Sequence, residues 1–293
     1  MQQPIEFRKI REFGEIISDT FLFIKQNFKP LMKAYIYLCG LFVLGGIVST
    51  LVAHLQIVGA FSQQKATELE NPVLMMMNLS VNYGLIILFS VLSYTSYFVC
   101  ILSYIALYVR KGNVAPTVPE VWSYFKFYFF KVLGSGFLIS CFWGICIILC
   151  LIPGIWVTPA VSIFFAIIVM ENGGIGYAFN RCFKLVTNEW WITFATLVVM
   201  YVIFQGASLF IQIPALALVW ARSFTDINSP FTVGYSIVSS VSQYLASVFL
   251  IIPIVSSALI YFNLVELKES TGLLERINAF GEKTADHATP EEY

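Results

Sequence analysis

The sequence predicts an all-α integral membrane protein with six transmembrane helices, and three observations carry this prediction. Hydrophobic residues make up 58% of the 293-residue chain and charged residues only 12%, about half the charged fraction of a typical soluble domain. Several uncharged runs are long enough to supply the ~20 apolar residues that one bilayer crossing requires. Lysine and arginine are distributed very unevenly among the segments that separate these runs. Lipid is therefore the expected solvent for most of the surface.

Six spans are expected inside a membrane domain that covers residues 34–265. They lie near 34–53, 81–109, 132–152, 155–170, 190–213 and 244–265. The uncharged run 132–170 is too long for one crossing, and Pro153 and Gly154 in LIPGIW predict the turn of a helical hairpin. The Ser- and Thr-rich stretch before the last span is expected at the membrane interface. Residues 1–33 are predicted to form an amphipathic interfacial helix, and residues 266–293 a polar cytoplasmic tail with a disordered end.

The positive charges indicate how the chain is oriented in the membrane. Fifteen lysines and arginines lie on the side that the two termini share, and only Lys65 and Arg222 lie on the other. Because short loops rich in Lys and Arg stay on the cytoplasmic side, both termini are expected to be cytoplasmic. The expected location is the cytoplasmic (inner) membrane of a bacterium.

One structural unit is expected to occur three times: an amphipathic cytoplasmic helix, a span and a return span. The second copy begins with the aromatic stretch 119–133. Superposing 19–33, 120–134 and 180–194 aligns Lys25 with Lys126, which favours an internal three-unit repeat. The apolar face of the first amphipathic helix comprises Phe13, Ile16, Ile17, Phe21, Ile24 and Phe28. That of the third comprises Ile175, Ala178, Phe179, Cys182, Leu185 and Val186.

The glycines of the stretch ENGGIGYAFNRCFKLVTNEWW, residues 171–191, admit two interpretations. Gly173, Gly174 and Gly176 could belong to a phosphate-binding loop. They follow a predicted span rather than a β-strand, however, and G-x-x-x-x-G-K-[ST] and complete G-x-G-x-x-G patterns are both missing. We therefore assign them to an elbow between a span and an interfacial helix, since glycine tolerates positive φ.

The same stretch contains charged and aromatic residues whose roles are also expected to be structural. Glu171 is placed to pair with Arg181 or Lys184, or to cap the following helix against its dipole. Trp190 and Trp191 are predicted to mark the membrane boundary, where amphipathic rings are favoured.

Four stretches carry a resemblance to a known family: REFGEIISDTFLFIKQNFKPL, LIPGIW, ENGGIGYAFNRCFKLVTNEWWITF and YFNLVELKESTGL. Together they resemble the membrane domain associated with glycerophosphoryl diester phosphodiesterases and its bacterial relatives. Cys182 stands where relatives often have Ser, and Asn263 where they often have Asp. Some members carry a catalytic barrel behind the membrane domain, which needs about 250 residues. Only 28 residues follow Val265, so that enzyme is expected to be absent.

No constellation in the sequence favours catalysis or metal binding. His54 has no His, Cys or carboxylate at metal-ligand spacing, His287 lies in the polar tail, and Cys146 and Cys150 have apolar neighbours. The predicted spans contain no acidic residue, which removes the usual basis of ion-coupled transport. Basic and acidic residues cancel, which gives no general attraction to polyanions. No enzymatic activity, cofactor, metal or nucleic-acid partner is therefore expected.

The expected function is a non-enzymatic inner-membrane scaffold or accessory subunit of a membrane- or envelope-related complex. Its partners would be the lipid bilayer and a membrane protein. The alternative is a transporter or lipid-handling protein with a cavity between the repeat units, on which Asn82, Gln205 and Gln243 would converge. Candidates for contacts with anionic headgroups or with the partner are Lys25, Lys29, Lys126, Lys131, Arg181 and Lys184.

Overall fold

The computed structural model describes residues 4–61, 72–222 and 230–270 of the chain. All regular structure within these ranges is helical, which confirms the predicted all-α class. The predicted disordered end of the tail and Lys65 lie outside the described residues. The helices in the described ranges are α1 Phe13–Phe61, α2 Pro72–Arg110, α3 Val118–Leu149, α4 Leu151–Met170, α5 Ile175–Val186, α6 Trp190–Arg222, α7 Pro230–Ala246 and α8 Ile251–Glu269, with a 3-10 turn Ser247–Leu250 between α7 and α8.

Six helical segments in the described part of the chain are long and apolar enough to cross a membrane, as predicted. They are Phe13–Gln56, Ser80–Arg110, Val118–Leu149, Leu151–Met170, Trp190–Trp220 and Gly234–Glu269. The chain is therefore a multi-pass membrane protein. Several helices run well past the predicted span limits: α1 has 49 residues, or about 74 Å at 1.5 Å per residue. The hydrocarbon core of a bilayer is only about 30 Å thick.

The amino-terminal segment differs from the interfacial helix that was predicted for residues 1–33. Residues 4–12 are not helical, and Ile5 and Phe7 are buried against the bundle. α1 then continues through Pro30 into the first span without a break. Of the predicted apolar face, Phe13, Phe21 and Phe28 are exposed on the protein surface and Ile16 is buried in the bundle. The buried stripe consists of Ile16, Thr20, Phe23, Asn27 and Leu31.

Two polar residues on this stripe explain why hydrophobic spacing did not locate it. Thr20 Oγ1 donates to Ile16 O at 2.7 Å, and Asn27 Nδ2 donates to Phe23 O at 3.2 Å. Tyr104 of α2 donates to Asn27 Oδ1 at 3.1 Å. Because these hydrogen bonds satisfy the polar groups, Thr20 and Asn27 can be buried without a large desolvation cost.

The hairpin between α3 and α4 is present, but its turn lies at Cys150 rather than at Pro153 and Gly154. Cys150 has extended geometry, with φ −164° and ψ 130°, and is the single residue between the two helices. Pro153 lies in the first turn of α4, where a missing N–H leaves no helical bond unmade. Gly154 permits close packing: a Cβ there would lie 2.4 Å from Ile147 Cγ1 and 3.1 Å from Ile147 Cα.

The last helix, α8, lies at the centre of the bundle. Fifteen of its 19 residues are buried, and it packs against α1, α2, α4 and α6. The Ser- and Thr-rich stretch before it forms α7, which packs along α6 and α1. Ser236, Ser240 and Tyr244 of α7 are buried there, and a Cβ on Gly46 of α1 would lie 2.3 Å from Tyr244 Cζ.

Replacing Gly154 by Ala is expected to lower the stability of the protein by roughly 1–3 kcal/mol, because the added methyl group overpacks the contact with the Ile147 backbone. Thermal unfolding in detergent measures the change. Gly144→Ala on α3 is the matched control, since a Cβ there has no neighbour within 4 Å. Equal unfolding temperatures for the two variants would show that the close approach at the hairpin turn is absent.

Candidate functional site

Polar side chains from distant parts of the sequence converge around the last turns of α8. We call this set the polar end. It takes residues from three of the stretches that carry the family resemblance, and two arginines organise it. Its members are Arg11, Asp19, Glu171, Arg181, Tyr261, Asn263 and Glu269.

Arg11 is buried, with 4% of its surface exposed, and it joins the amino-terminal segment to α1 and α8. Its Nε donates to Asp19 Oδ2 of α1 at 2.8 Å, and its backbone N–H donates to Asn263 Oδ1 of α8 at 2.7 Å. A buried guanidinium is strongly destabilising unless its charge is paired and its donors are bonded. Its Nη1 donates to the backbone carbonyls of Phe7 and Lys9, and its Nη2 donates to that of Glu6. All three guanidinium nitrogens of Arg11 are therefore bonded to the chain itself.

The ring of Phe7 inserts between three helices beside Arg11. Its centroid lies 5.1 Å from that of Phe23 in α1, 5.9 Å from Tyr108 in α2 and 5.4 Å from Phe262 in α8. All three contacts have the edge geometry that aromatic pairs favour. The amino-terminal segment is thus fixed by an apolar anchor as well as by Arg11.

Arg181 of α5 forms the second group, together with two carboxylates. Its Nε lies 3.2 Å from Glu171 Oε1, and its Nη1 lies 2.5 Å from Glu269 Oε1. Tyr261 donates to Glu171 Oε1 at 2.9 Å and Tyr177 to Glu171 Oε2 at 2.6 Å. The sequence suggested that Glu171 pairs with Arg181, pairs with Lys184 or caps the following helix. In the structure it pairs with Arg181.

The proton positions in the Arg181 group follow from these contacts. The hydrogen bond to Glu269 and the charge of Glu171 raise the pKa of Arg181 above its usual range. The bond to Glu171 raises the pKa of Tyr177, because phenolate formation beside a carboxylate is disfavoured. The arginine therefore stays charged and the phenol stays a donor. Such a group fixes α5 to α4 and α8.

The elbow after α4 is formed differently from the prediction. The residue with positive φ is Asn172, at 51°, and none of the three elbow glycines has positive φ. Lys131 of α3 holds Asn172 by donating to its O at 3.2 Å and its Oδ1 at 3.1 Å. Gly173 is required for a different reason: a Cβ there would lie 2.4 Å from Tyr177 Cδ1. A Cβ on Gly174 or Gly176 would meet no atom within 4 Å.

α5 runs back along the α3–α4 hairpin. Phe179 contacts Phe142 with ring centroids 5.2 Å apart, and Phe183 contacts Trp156 at 6.4 Å. Trp190 Nε1 then donates to Trp156 O at 2.8 Å. Trp190 and its exposed neighbour Trp191 therefore lie beside the second turn of α4, away from the elbow end of that helix. Of the predicted apolar face of this helix, Ala178, Cys182, Leu185 and Val186 are buried, whereas Ile175 is exposed.

The candidate basic residues divide into engaged and exposed groups. Arg181 and Lys131 are bound within the elbow. Lys126 lies over the Trp122 ring, 5.3 Å from its centroid. Lys25, Lys29 and Lys184 are exposed, as is Lys126, and the backbone O of Lys184 accepts a hydrogen bond from Lys268 Nζ.

A histidine–serine contact lies further along α1 and was not foreseen from the sequence. His54 Nδ1 is 3.3 Å from Ser240 Oγ and 3.4 Å from Ser239 Oγ. Ser240 Oγ donates to Ser236 O at 2.7 Å. Because the Ser240 hydroxyl donates its hydrogen bond to that carbonyl and not to His54, the contact joins α1 to α7 and does not activate the serine as a nucleophile.

Metal and thiol chemistry finds little support in the described ranges. They contain no group of three or more His, Cys, Asp or Glu residues that could hold a metal ion. The six cysteines are free thiols. Burial raises the pKa of Cys182 to about 12, so its thiol stays protonated at neutral pH.

The sequence pointed to only part of the polar end. Glu171 and Arg181 were recognised, whereas Arg11, Asp19, Tyr261, Asn263 and Glu269 were not assigned a role. Their positions within the stretches that carry the family resemblance could have indicated that they matter. Comparison with known proteins adds nothing further, since no family model, curated protein or solved structure matches this chain.

Replacing Asn263 by Ala is expected to destabilise the protein by about 1–3 kcal/mol, because the buried Arg11 N–H loses its acceptor. Asn263→Asp is the matched variant, since it keeps an acceptor and adds a negative charge near Arg11. Thermal unfolding of both in the same detergent gives the comparison. The account predicts that Asp is tolerated and Ala is not; the reverse order would contradict the proposed Arg11 contact.

Replacing Arg181 by Gln should also be destabilising, by about 1–3 kcal/mol, because Glu171 and Glu269 lose their shared cation in a partly buried site. Lys184→Gln removes one exposed positive charge from the same helix and serves as control. Limited proteolysis at α5 and thermal unfolding report the effect. If both variants behave alike, the Arg181 group does not fix α5.

Proposed function

We propose that this chain is a non-enzymatic scaffold or accessory subunit of a membrane- or envelope-related complex in a bacterial inner membrane. The observation that carries the proposal is that the arginines and Glu171 of the polar end are bonded to other parts of the same chain. The hydrogen bonds and ion pairs described for Arg11, Glu171 and Arg181 are all made to other parts of the same chain. Such an arrangement supports a rigid shape rather than a reaction centre.

The proposed orientation places the polar end and both termini in the cytoplasm. It rests on the excess of Lys and Arg on that side of the sequence. The resemblance to the phosphodiesterase-associated membrane domain agrees with a scaffold role, because the stretches that carry it belong to the membrane part.

The surface proposed for the partner is the amino-terminal half of α3. Lys131 meets Asn172 just beyond the end of α4, so residues 118–130 extend past α4. Trp122, Lys126 and Phe130 follow one another at four-residue spacing and form one face. Trp122 is 44% and Phe130 76% exposed. Exposed aromatic rings beside a cation are typical of protein interfaces and of headgroup-level contacts.

The transporter alternative receives less support. Gln205 and Gln243 are exposed, and Asn82 donates to Gln56. The three polar side chains that would have to converge on one interior space therefore do not share one. Passage of a polar ligand through the bundle would need another set of residues.

The test is isolation of the tagged chain from its native membrane in nanodiscs, with quantification of co-isolated proteins by mass spectrometry. We expect a stoichiometric membrane-protein partner that is lost in Trp122→Ala with Phe130→Ala. Phe137→Ala with Leu138→Ala is the control, since both side chains are exposed and lie within the predicted span. A monomer without partner under gentle extraction would contradict the proposal. The proposed orientation is checked separately with a carboxyl-terminal tag. A protease should reach the tag in inside-out vesicles and not in vesicles of the opposite orientation.

A further inference from the structure

A continuous exposed stripe runs along the outer side of α1 from Phe21 to Leu55. Its positions recur every three or four residues, so they lie on one face of the helix. The distance from Ile36 to Leu55 is about 29 Å at 1.5 Å per residue, close to the ~30 Å of a bilayer's hydrocarbon core. This part of the stripe is apolar throughout and therefore faces lipid tails. Its exposed members are Ile36, Tyr37, Leu41, Leu44, Val48, Val52 and Leu55.

Three lysines occupy the same face immediately before the apolar part. Lys25, Lys29 and Lys33 are exposed and follow one another at four-residue spacing; we call them the lysine row. No acidic residue occurs between positions 20 and 61 of the sequence. The ion pairs among the described residues involve none of the three lysines. The charges of the row are therefore directed to the surroundings.

The three lysines lie at different distances from the bilayer. Ile36 marks the edge of the hydrocarbon core, and Lys33, Lys29 and Lys25 lie about 5, 11 and 17 Å beyond it at 1.5 Å per residue. The headgroup layer is about 5–7 Å thick on each side, so Lys33 lies within it and Lys29 about 4 Å outside it. Lys25 lies about 10 Å outside, which exceeds the Debye length of about 8 Å at physiological ionic strength.

We infer that the lysine row binds the phosphate groups of anionic lipids in the cytoplasmic leaflet, with Lys33 as the main contact and Lys29 as a weaker one. The attraction of a basic residue to an anionic membrane surface falls off within a Debye length, so Lys25 contributes little. The exposed ring of Tyr37 lies at the same boundary, where amphipathic rings are favoured.

The occupant of the row is lipid rather than an acidic protein, because the lysines continue the face of α1 that contacts lipid tails. A lysine ammonium is a compact point charge with rotatable donors, so it holds a phosphate oxygen without selecting the rest of the headgroup. The row therefore distinguishes anionic from zwitterionic lipids. The inference deepens the proposed function and rests on it only for the choice of the cytoplasmic leaflet.

The test uses the purified full chain in nanodiscs of equal parts phosphatidylglycerol and phosphatidylcholine. Native mass spectrometry gives the ratio of phosphatidylglycerol to phosphatidylcholine that the chain retains. Lys33→Gln should lower this ratio about fivefold, which corresponds to about 1 kcal/mol per basic residue near an anionic surface. Lys29→Gln should lower it about twofold, since the charge lies within one Debye length of the headgroups. Lys25→Gln is the matched control, with the same charge change on the same face, and should leave the ratio nearly unchanged.

The order of these three effects decides the inference. Equal losses in all three variants would show an attraction that does not depend on depth, and no loss in Lys33→Gln would show that the row makes no contact; either result overturns it. Displacement of the lipid by inorganic phosphate would overturn it too, because the row would then be a site for the free anion. Unfolding temperatures in phosphatidylcholine nanodiscs check that the variants fold alike.

The same variants separate this inference from the scaffold proposal. Loss of a co-isolated protein partner in Lys33→Gln, at an unchanged lipid ratio, would assign the row to a protein contact and overturn the inference. A chain that shows the graded lipid preference but has no protein partner in its native membrane would contradict only the scaffold proposal.

Discussion

Two arginines hold the outer parts of the chain onto the carboxyl end of α8, and the architecture of the polar end depends on them. Arg11 brings the non-helical amino-terminal segment to Asn263, and Arg181 brings α5 to Glu269. A guanidinium that is largely removed from water requires paired charge and bonded donors. Partial satisfaction would cost more than an apolar contact in the same place. These few polar residues therefore help to specify which segments meet at this end of the bundle.

The same internal bonds bear on where other molecules can interact with the chain. The bonds of Arg11 and the Glu171–Arg181 pair are used within the chain, so a ligand would have to break contacts that stabilise the fold. The outward face around Trp122 is different, because it presents exposed side chains to the surroundings. A rigid polar end with interaction surfaces beside it agrees with a scaffold.

Local sequence patterns predicted the structural features that depend on residues close together in the chain. The six crossing segments, the α3–α4 hairpin and the inward face of α5 follow from hydrophobic length and spacing. The pair of Glu171 with Arg181 spans ten positions and could be anticipated as one of three roles. The contact between Arg11 and Asn263 joins positions 252 apart, and no periodicity reports such a pairing. Thr20 likewise lies on a buried stripe because of a hydrogen bond that hydropathy does not register.

Hydrogen–deuterium exchange of the full chain in nanodiscs tests the central claim most directly, because it measures whether the outer segments are held by α8. Protection reflects the free energy of local opening. The account predicts that peptides covering residues 4–12 and α5 exchange slowly, on the timescale of the carboxyl half of α8. Exchange of either segment within seconds, while α8 stays protected, would show that the arginines do not fix it there.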